Sequence, residues 1–216
     1  MNQVHPAESL QLREVAILLR RVSDRQRHIG LLHKDNDTGE VVLFHLAFHL
    51  ELRCESPPTN GLWVDPTYPT PRLRQVAAIC RHVWAKNGQR IPFGISRPND
   101  CFDHDTYEFL IQPSRHGLTC ATFVLAMFLE AGLEIVEYDG WPSRPDDAVW
   151  QESVLSQLQE RRASSEHIAC VKGGVGGIRI RPEEVAGAAT LTPHPANYDR
   201  TKPAAEEILR LLNLTA

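Results

Sequence analysis

Hydrophobic and polar positions alternate over two stretches near the N-terminus, RHIGLLHK (27–34) and EVVLFHLAFHLELR (40–53). Side chains of a strand point alternately to its two faces, so this alternation predicts strands with one buried face. The intervening DNDTGE combines Asp, Asn and Gly and marks a turn. The aliphatic run REVAILLRRV (13–22) fits the same pattern, giving an antiparallel meander. A proline-rich segment, 55–71, reads as loop, as does 91–117.

Beyond residue 70 the spacing changes to the helical period. Leu73, Val76, Ala77, Ile79, Cys80, Val83 and Trp84 share a face, and Gly88 closes the segment, which predicts a helix over 71–88. Residues 119–130 form a second helix, apolar on all sides, stopped by Gly132. The spacing of Val149, Val154, Leu155 and Leu158 predicts another over 146–162, and 202–214 forms an amphipathic terminal helix. Residues 133–138 are expected as a short strand, and 166–191 has strand character on either side of its glycines.

A helix apolar on every side is buried in the middle of a domain. Cys120 stands at the start of that helix. The unpaired N–H groups and the positive dipole end there lower a thiol pKa, provided the thiol is partly exposed. Arg115 and His116, just upstream, add positive charge on this reading. The same cysteine also fits simple packing among Phe123, Val124 and Leu125. A catalytic thiol needs a base, usually an imidazole, and often a third group that orients it. His28 and His45 fall on the two predicted strands and approach one another if those strands pair. His33 reads as turn-facing. His49 shares the face of His45 but lies about 13 Å further along the strand.

The 216 residues, 42% hydrophobic and 23% charged, suit one globular domain. A net charge of -4 gives no reason to expect nucleic acid as a partner. No apolar run is long enough to span a membrane, and MNQVHPAESLQLRE lacks the apolar stretch of a secretory signal, so a cytoplasmic location is expected. Five cysteines, none at C-x-x-C spacing, suggest free thiols and neither a disulfide framework nor a structural zinc site.

The order HIGL on one strand, a polar residue on the next, a long insertion, then LTCATFVLAMFLEAGL resembles the circularly permuted papain-like hydrolases. These include the YiiX-type and lecithin retinol acyltransferase-like members of the NlpC-type superfamily. The resemblance covers roughly residues 13–138. It implies an α+β domain whose antiparallel sheet packs against a central nucleophile helix, with residues 139–216 as a decoration of the single 1–216 domain. It implies Cys120 as nucleophile, His28 as general base and His45 as the orienting third residue. The activity implied is hydrolysis or acyl transfer on a peptide, amide or lipid-type acyl substrate, with no cofactor and no metal. The backbone N–H of Cys120 is then an oxyanion donor. The alternative is a non-catalytic interaction or immunity-type protein on the same fold.

Three other features compete for attention. Cys101 lies among acids in NDCFDHD, which would raise its pKa, so it reads as a structural thiol in a surface loop. KGGVGGIR (172–179) has the glycines of a phosphate loop but neither G-K-[ST] nor a following helix, and reads as a turn. Trp63, Trp141 and Trp150 fit either a cleft or the core.

Overall fold

The computed structural model describes residues 4–23, 26–88, 90–111 and 116–214. Among them the chain is an α+β protein with one antiparallel sheet of six strands and six α-helices. The strands are β1 (Val4–Pro6), β2 (Val15–Ser23), β3 (Gln26–Lys34), β4 (Val41–Phe48), β5 (Glu51–Glu55) and β6 (Leu62–Val64). Their order across the sheet is β1-β6-β2-β3-β4-β5. The helices are α1 (Thr70–Asn87), α2 (Cys120–Glu130), α3 (Pro145–Glu160), α4 (Ser165–Gly173), α5 (Pro182–Ala189) and α6 (Tyr198–Leu214). No described helix is long and apolar enough to cross a membrane.

The predicted meander is present, with β2 paired to β3 and β3 to β4. The run 40–53, expected as one strand, is two. His49 and Leu50 turn the chain, with Leu50 in the left-handed region at φ 59°, and β5 folds back along β4. The proline-rich loop contains β6, which joins the sheet between β1 and β2. Residues 133–138 contribute only a single bridge, from Val136 to Ala196. The segment 166–191 holds no strand; it carries most of α4 and all of α5, joined by the irregular stretch 174–181. Ser164 caps α4 by accepting the His167 N–H, and Pro182 opens α5 with Glu183 and Glu184 in its first turn.

One face of the sheet carries the main core. Ile17, Leu19, Ile29, Leu31, Phe44 and Leu46 pack there against the helices. Every residue of α2 from Cys120 to Phe128 is buried. The helix lies across β3 and β4, with α1 and α5 in contact with it as well. A helix sealed on all sides places its first residue rigidly, because large side chains such as Phe123 and Phe128 leave no room for it to shift. Residues of the C-terminal third, among them Val154, Leu158, Ile180, Val185 and Leu212, belong to this same core. The opposite face buries a smaller cluster of Ala16, Leu18, Leu32, Leu43 and Trp63.

Two turns are built identically. In DNDTGE, Asp35 Oδ1 accepts from the Asp37 and Thr38 N–H groups and from the Thr38 hydroxyl at 2.9–3.0 Å. In DHDTYE, Asp103 Oδ1 accepts from Asp105, Thr106 and the Thr106 hydroxyl at 2.8–3.1 Å. The Asp103 loop is therefore a self-contained turn, exposed at its tip, that links Phe102 to Phe109.

Candidate active site

The β3–β4 ladder runs from Lys34 and Val41 to Leu31 and Phe44 and ends there. The next residue of β3, Gly30, faces His45. A Cβ at Gly30 would stand 2.7 Å from the His45 Cβ and 2.7 Å from Leu43 Cδ1. The missing side chain lets His45 lie across the gap toward His28, two residues further along β3. His28 Nε2 and His45 Nδ1 are 2.7 Å apart, with the rings nearly edge-on. His45 Nε2 reaches Glu55 Oε1 at 3.1 Å across the β4–β5 pair.

This chain of contacts has one consistent proton arrangement with Glu55 ionised. A carboxylate only accepts, so His45 Nε2 carries the proton. A neutral His45 then has a bare Nδ1, which accepts from His28 Nε2–H. His28 in turn keeps a bare Nδ1. Glu55 thus fixes two tautomers in sequence and leaves the first imidazole with a lone pair. Burial holds both rings neutral. His28 is pushed down to about 3, first by loss of solvent and then by His45, Arg20 and Arg53, while His45 is lowered by burial against the opposing pull of Glu55.

Cys120 is the first residue of α2. Thr119 caps the helix reciprocally. Its hydroxyl accepts the Thr122 N–H at 3.0 Å, and the Thr122 hydroxyl accepts the Thr119 N–H at 2.8 Å. Phe123 N–H goes to the Thr119 carbonyl. The N–H groups of Cys120 and Ala121 have no carbonyl acceptor among the described residues, and both favour negative charge at the sulfur. So does the Ile29 N–H, on the residue next to His28.

Cys120 and His28 line one cavity, walled by Phe48, Phe93, Trp150 and Arg179. Its free volume is about 30 Å³, room for no more than a few waters. Two expectations about the thiol need correction. It is 7% exposed, so the condition of partial exposure is not met, and burial raises its pKa above the ordinary value despite the helix start. Its positive neighbour is Arg179, the group whose charge opposes that rise. His116 instead lines a separate groove with Cys170, and Arg115 lies outside the described residues. The thiol and His28 are not hydrogen bonded in this arrangement.

The remaining histidines sort differently from their sequence reading. His33 is buried and not turn-facing. Its Nδ1 lies 3.0 Å from the Lys34 carbonyl, and its ring packs edge-on to Phe44. His49 sits in the β4–β5 turn and not on the His45 face. Its ring centroid is 4.5 Å from that of His167, and its Nδ1 accepts the Phe93 N–H. Cys101 is a buried thiol bonded to the Arg97 and Asn99 carbonyls, as a structural thiol would be. Trp150 belongs to the cleft, while Trp63 and Trp141 are core.

Two residues of the site carried no sequence signal that the meander reading could use. Glu55 became visible only with the His49–Leu50 turn, which sets Arg53 opposite His45 and Glu55 two residues on, on the same face. Arg179 follows the glycine turn 173–177 and is held by a buried ion network. Asp147, 1% exposed, takes Arg144 Nε at 2.6 Å, Arg181 Nε at 3.0 Å and Arg179 Nη1 at 3.2 Å. No family model matches the chain, and neither the curated proteins nor the solved structures contain a significant match.

Proposed function

We propose that the protein is a cysteine-dependent hydrolase or acyltransferase acting on an amide or ester carbonyl, on a permuted papain-like arrangement. The observation that carries this reading is the ordered series Glu55–His45–His28, which ends at a cavity lined by both His28 and Cys120, the latter at a helix start.

The raised thiol pKa and the depressed imidazole pKa favour a neutral resting pair over a preformed thiolate–imidazolium pair. In the proposed reaction, His28 Nδ1 takes the thiol proton as Cys120 Sγ forms its bond to the substrate carbonyl carbon. The imidazolium is stabilised through His45 by Glu55. The N–H groups of Cys120 and Ala121 receive the developing oxyanion, an interaction worth about 3 kcal/mol per donor. His28 then returns its proton to the departing amine or alkoxide as the C–N or C–O bond breaks, leaving a thioester. Water, or an acceptor hydroxyl or amine, attacks the thioester carbonyl, giving its proton to His28, which passes it to the thiolate as the C–S bond breaks.

The test is site-resolved alkylation with iodoacetamide combined with turnover of p-nitrophenyl acetate. Cys120 should label faster than Cys54 and Cys170, and ester turnover should fall to background in Cys120→Ala. Equal turnover by that variant and the wild type would overturn the proposal.

A further inference from the structure

Of the three arginines gathered around Asp147, Arg144 is engaged through all three guanidinium nitrogens and Arg181 through two. Arg144 gives Nε to Asp147 at 2.6 Å, Nη1 to Glu184, and Nη2 to the Arg179 carbonyl at 2.8 Å and Glu184 at 3.3 Å. Arg181 gives Nε to Asp147 at 3.0 Å and Nη2 to Asp146 at 2.7 Å. Arg179 is different. Among the described residues its one hydrogen bond runs from Nη1 to Asp147, a carboxylate it shares with both others. Its guanidinium lies over the Trp150 indole, 3.7 Å from the ring centroid. Its side chain is 15% exposed, and the residue lines the Cys120 cavity. The group is thus held by Asp147 and by the Trp150 face, with Nε and Nη2 unclaimed among the described residues.

Arg144 shows that the network can engage every nitrogen of a guanidinium, which it does not do for Arg179. Glu183 lies close enough to act on Arg179 through its charge, but forms no hydrogen bond to it. A second guanidinium, that of Arg27, lines the same cavity, and its buried Nε has no hydrogen-bond partner. Two arginines therefore line the space that Cys120 and His28 share.

We infer that Arg179 is the specificity-determining residue of this site and binds a carboxylate that the substrate carries beside the carbonyl attacked by Cys120. The inference rests on the thiol-hydrolase reading above. A planar fork with two adjacent free N–H groups matches a carboxylate in two-point contact. The substrate class assigned is accordingly a peptide or peptide-like amide with an acidic residue at the scissile bond.

The experiment compares alkylation of Cys120 by iodoacetate and by iodoacetamide in the intact protein at low salt, resolved by mass spectrometry. Each reaction forms one S–C bond and expels iodide, and the two reagents differ in the carboxylate. Their rate ratio cancels any change in thiol pKa. The wild-type ratio at Cys120 should exceed that of glutathione at least tenfold and collapse in 0.5 M NaCl. Arg179→Gln should lower it about tenfold, and Arg179→Lys, which keeps the charge but not the planar fork, should retain only part of it. Benzoyl-glutamyl chloromethyl ketone should then inactivate the wild type at least tenfold faster than the glutaminyl analogue. If Arg179→Gln fails to fold, the wild-type ratio and its salt dependence decide. Brisk labelling of Cys120 with the ratio of glutathione overturns the role of Arg179 alone. A salt-sensitive ratio without discrimination between the two ketones overturns the peptide assignment. Absence of labelling at Cys120 by every reagent overturns the thiol reading, and this inference with it.

Discussion

His28 Nε2 and His45 Nδ1 lie 2.7 Å apart on neighbouring strands whose paired ladder has already ended, at Leu31 and Phe44. The contact is made by side chains reaching across a gap and not by residues held in register. It therefore depends on what frames the gap: Gly30 on one strand, and Glu55 behind His45.

The first expectation concerns rank order. Cys120→Ala should abolish turnover of an acyl substrate. His45→Ala should lower kcat by about 10- to 100-fold, since nucleophile and base remain while the tautomer and orientation of His28 are lost. Glu55→Gln should cost less, because its side chain is 42% exposed and solvent shares its role. Steady-state kinetics on one activated ester rank all three. Wild-type turnover in His45→Ala would remove that residue from the site.

Gly30→Ala tests the gap itself. A methyl group at 2.7 Å from the His45 Cβ and from Leu43 Cδ1 forces the strands apart. Overpacking of this kind costs about 1–3 kcal/mol. Urea unfolding should show the loss, and alkylation of Cys120 should change in rate because the imidazole pair is displaced. A Gly30→Ala protein as stable and as reactive as the wild type would contradict the close approach.

Acid should weaken the fold well before carboxylates titrate. His28 is held neutral in the folded protein down to about pH 3, whereas in the unfolded chain it takes a proton near 6.5. The unfolded state therefore binds more protons below pH 6.5. Stability is fully present above that value and is lost as pH falls toward 3, by on the order of 2 kcal/mol near pH 4.5. His33, His45 and His49 are shifted the same way by burial. Urea midpoints at pH 7, 6, 5 and 4.5 give the slope, and His28→Gln should flatten it by nearly one proton. An unchanged slope in that variant would show that His28 is not the buried neutral group described.

Thr119→Ala removes one half of the reciprocal cap and should cost about 1 kcal/mol, with Thr119→Ser restoring most of it. Because the cap sets the position of the next residue, the alkylation rate of Cys120 should change in Thr119→Ala and recover in Thr119→Ser. Thermal denaturation and alkylation read the two effects separately.

The parts legible in the sequence were those with strong local signals. The period-two runs gave β2, β3 and β4, and the apolar run after Thr119 gave α2 with Cys120 at its first turn. The turn at His49–Leu50 was hidden because a leucine, not a glycine or asparagine, adopts φ 59° there. β1 and β6 have three residues each, too few to show a period. In the C-terminal third, Ile, Val and Cys suggested strands, yet Pro182 followed by two glutamates is a helix-start signature that outweighs them. DHDTYE repeats the pattern of DNDTGE, and the repeat was readable. Tyr107, at φ 59°, occupies the position of Gly39, at φ 72°, and that substitution disguised it.

The cavity also divides along the chain. His28, Phe48, Phe93 and Cys120 come from the first 130 residues, whereas Trp150, Val154, Gln157, Arg179 and Pro182 form the facing wall. The imidazole series and much of the remaining lining are thus written in separate stretches of sequence that meet only in the folded protein. Mutations between Trp150 and Pro182 can alter the space beside Cys120 while leaving the imidazole series untouched, so the shape of the cavity and the Glu55–His45–His28 series can vary independently.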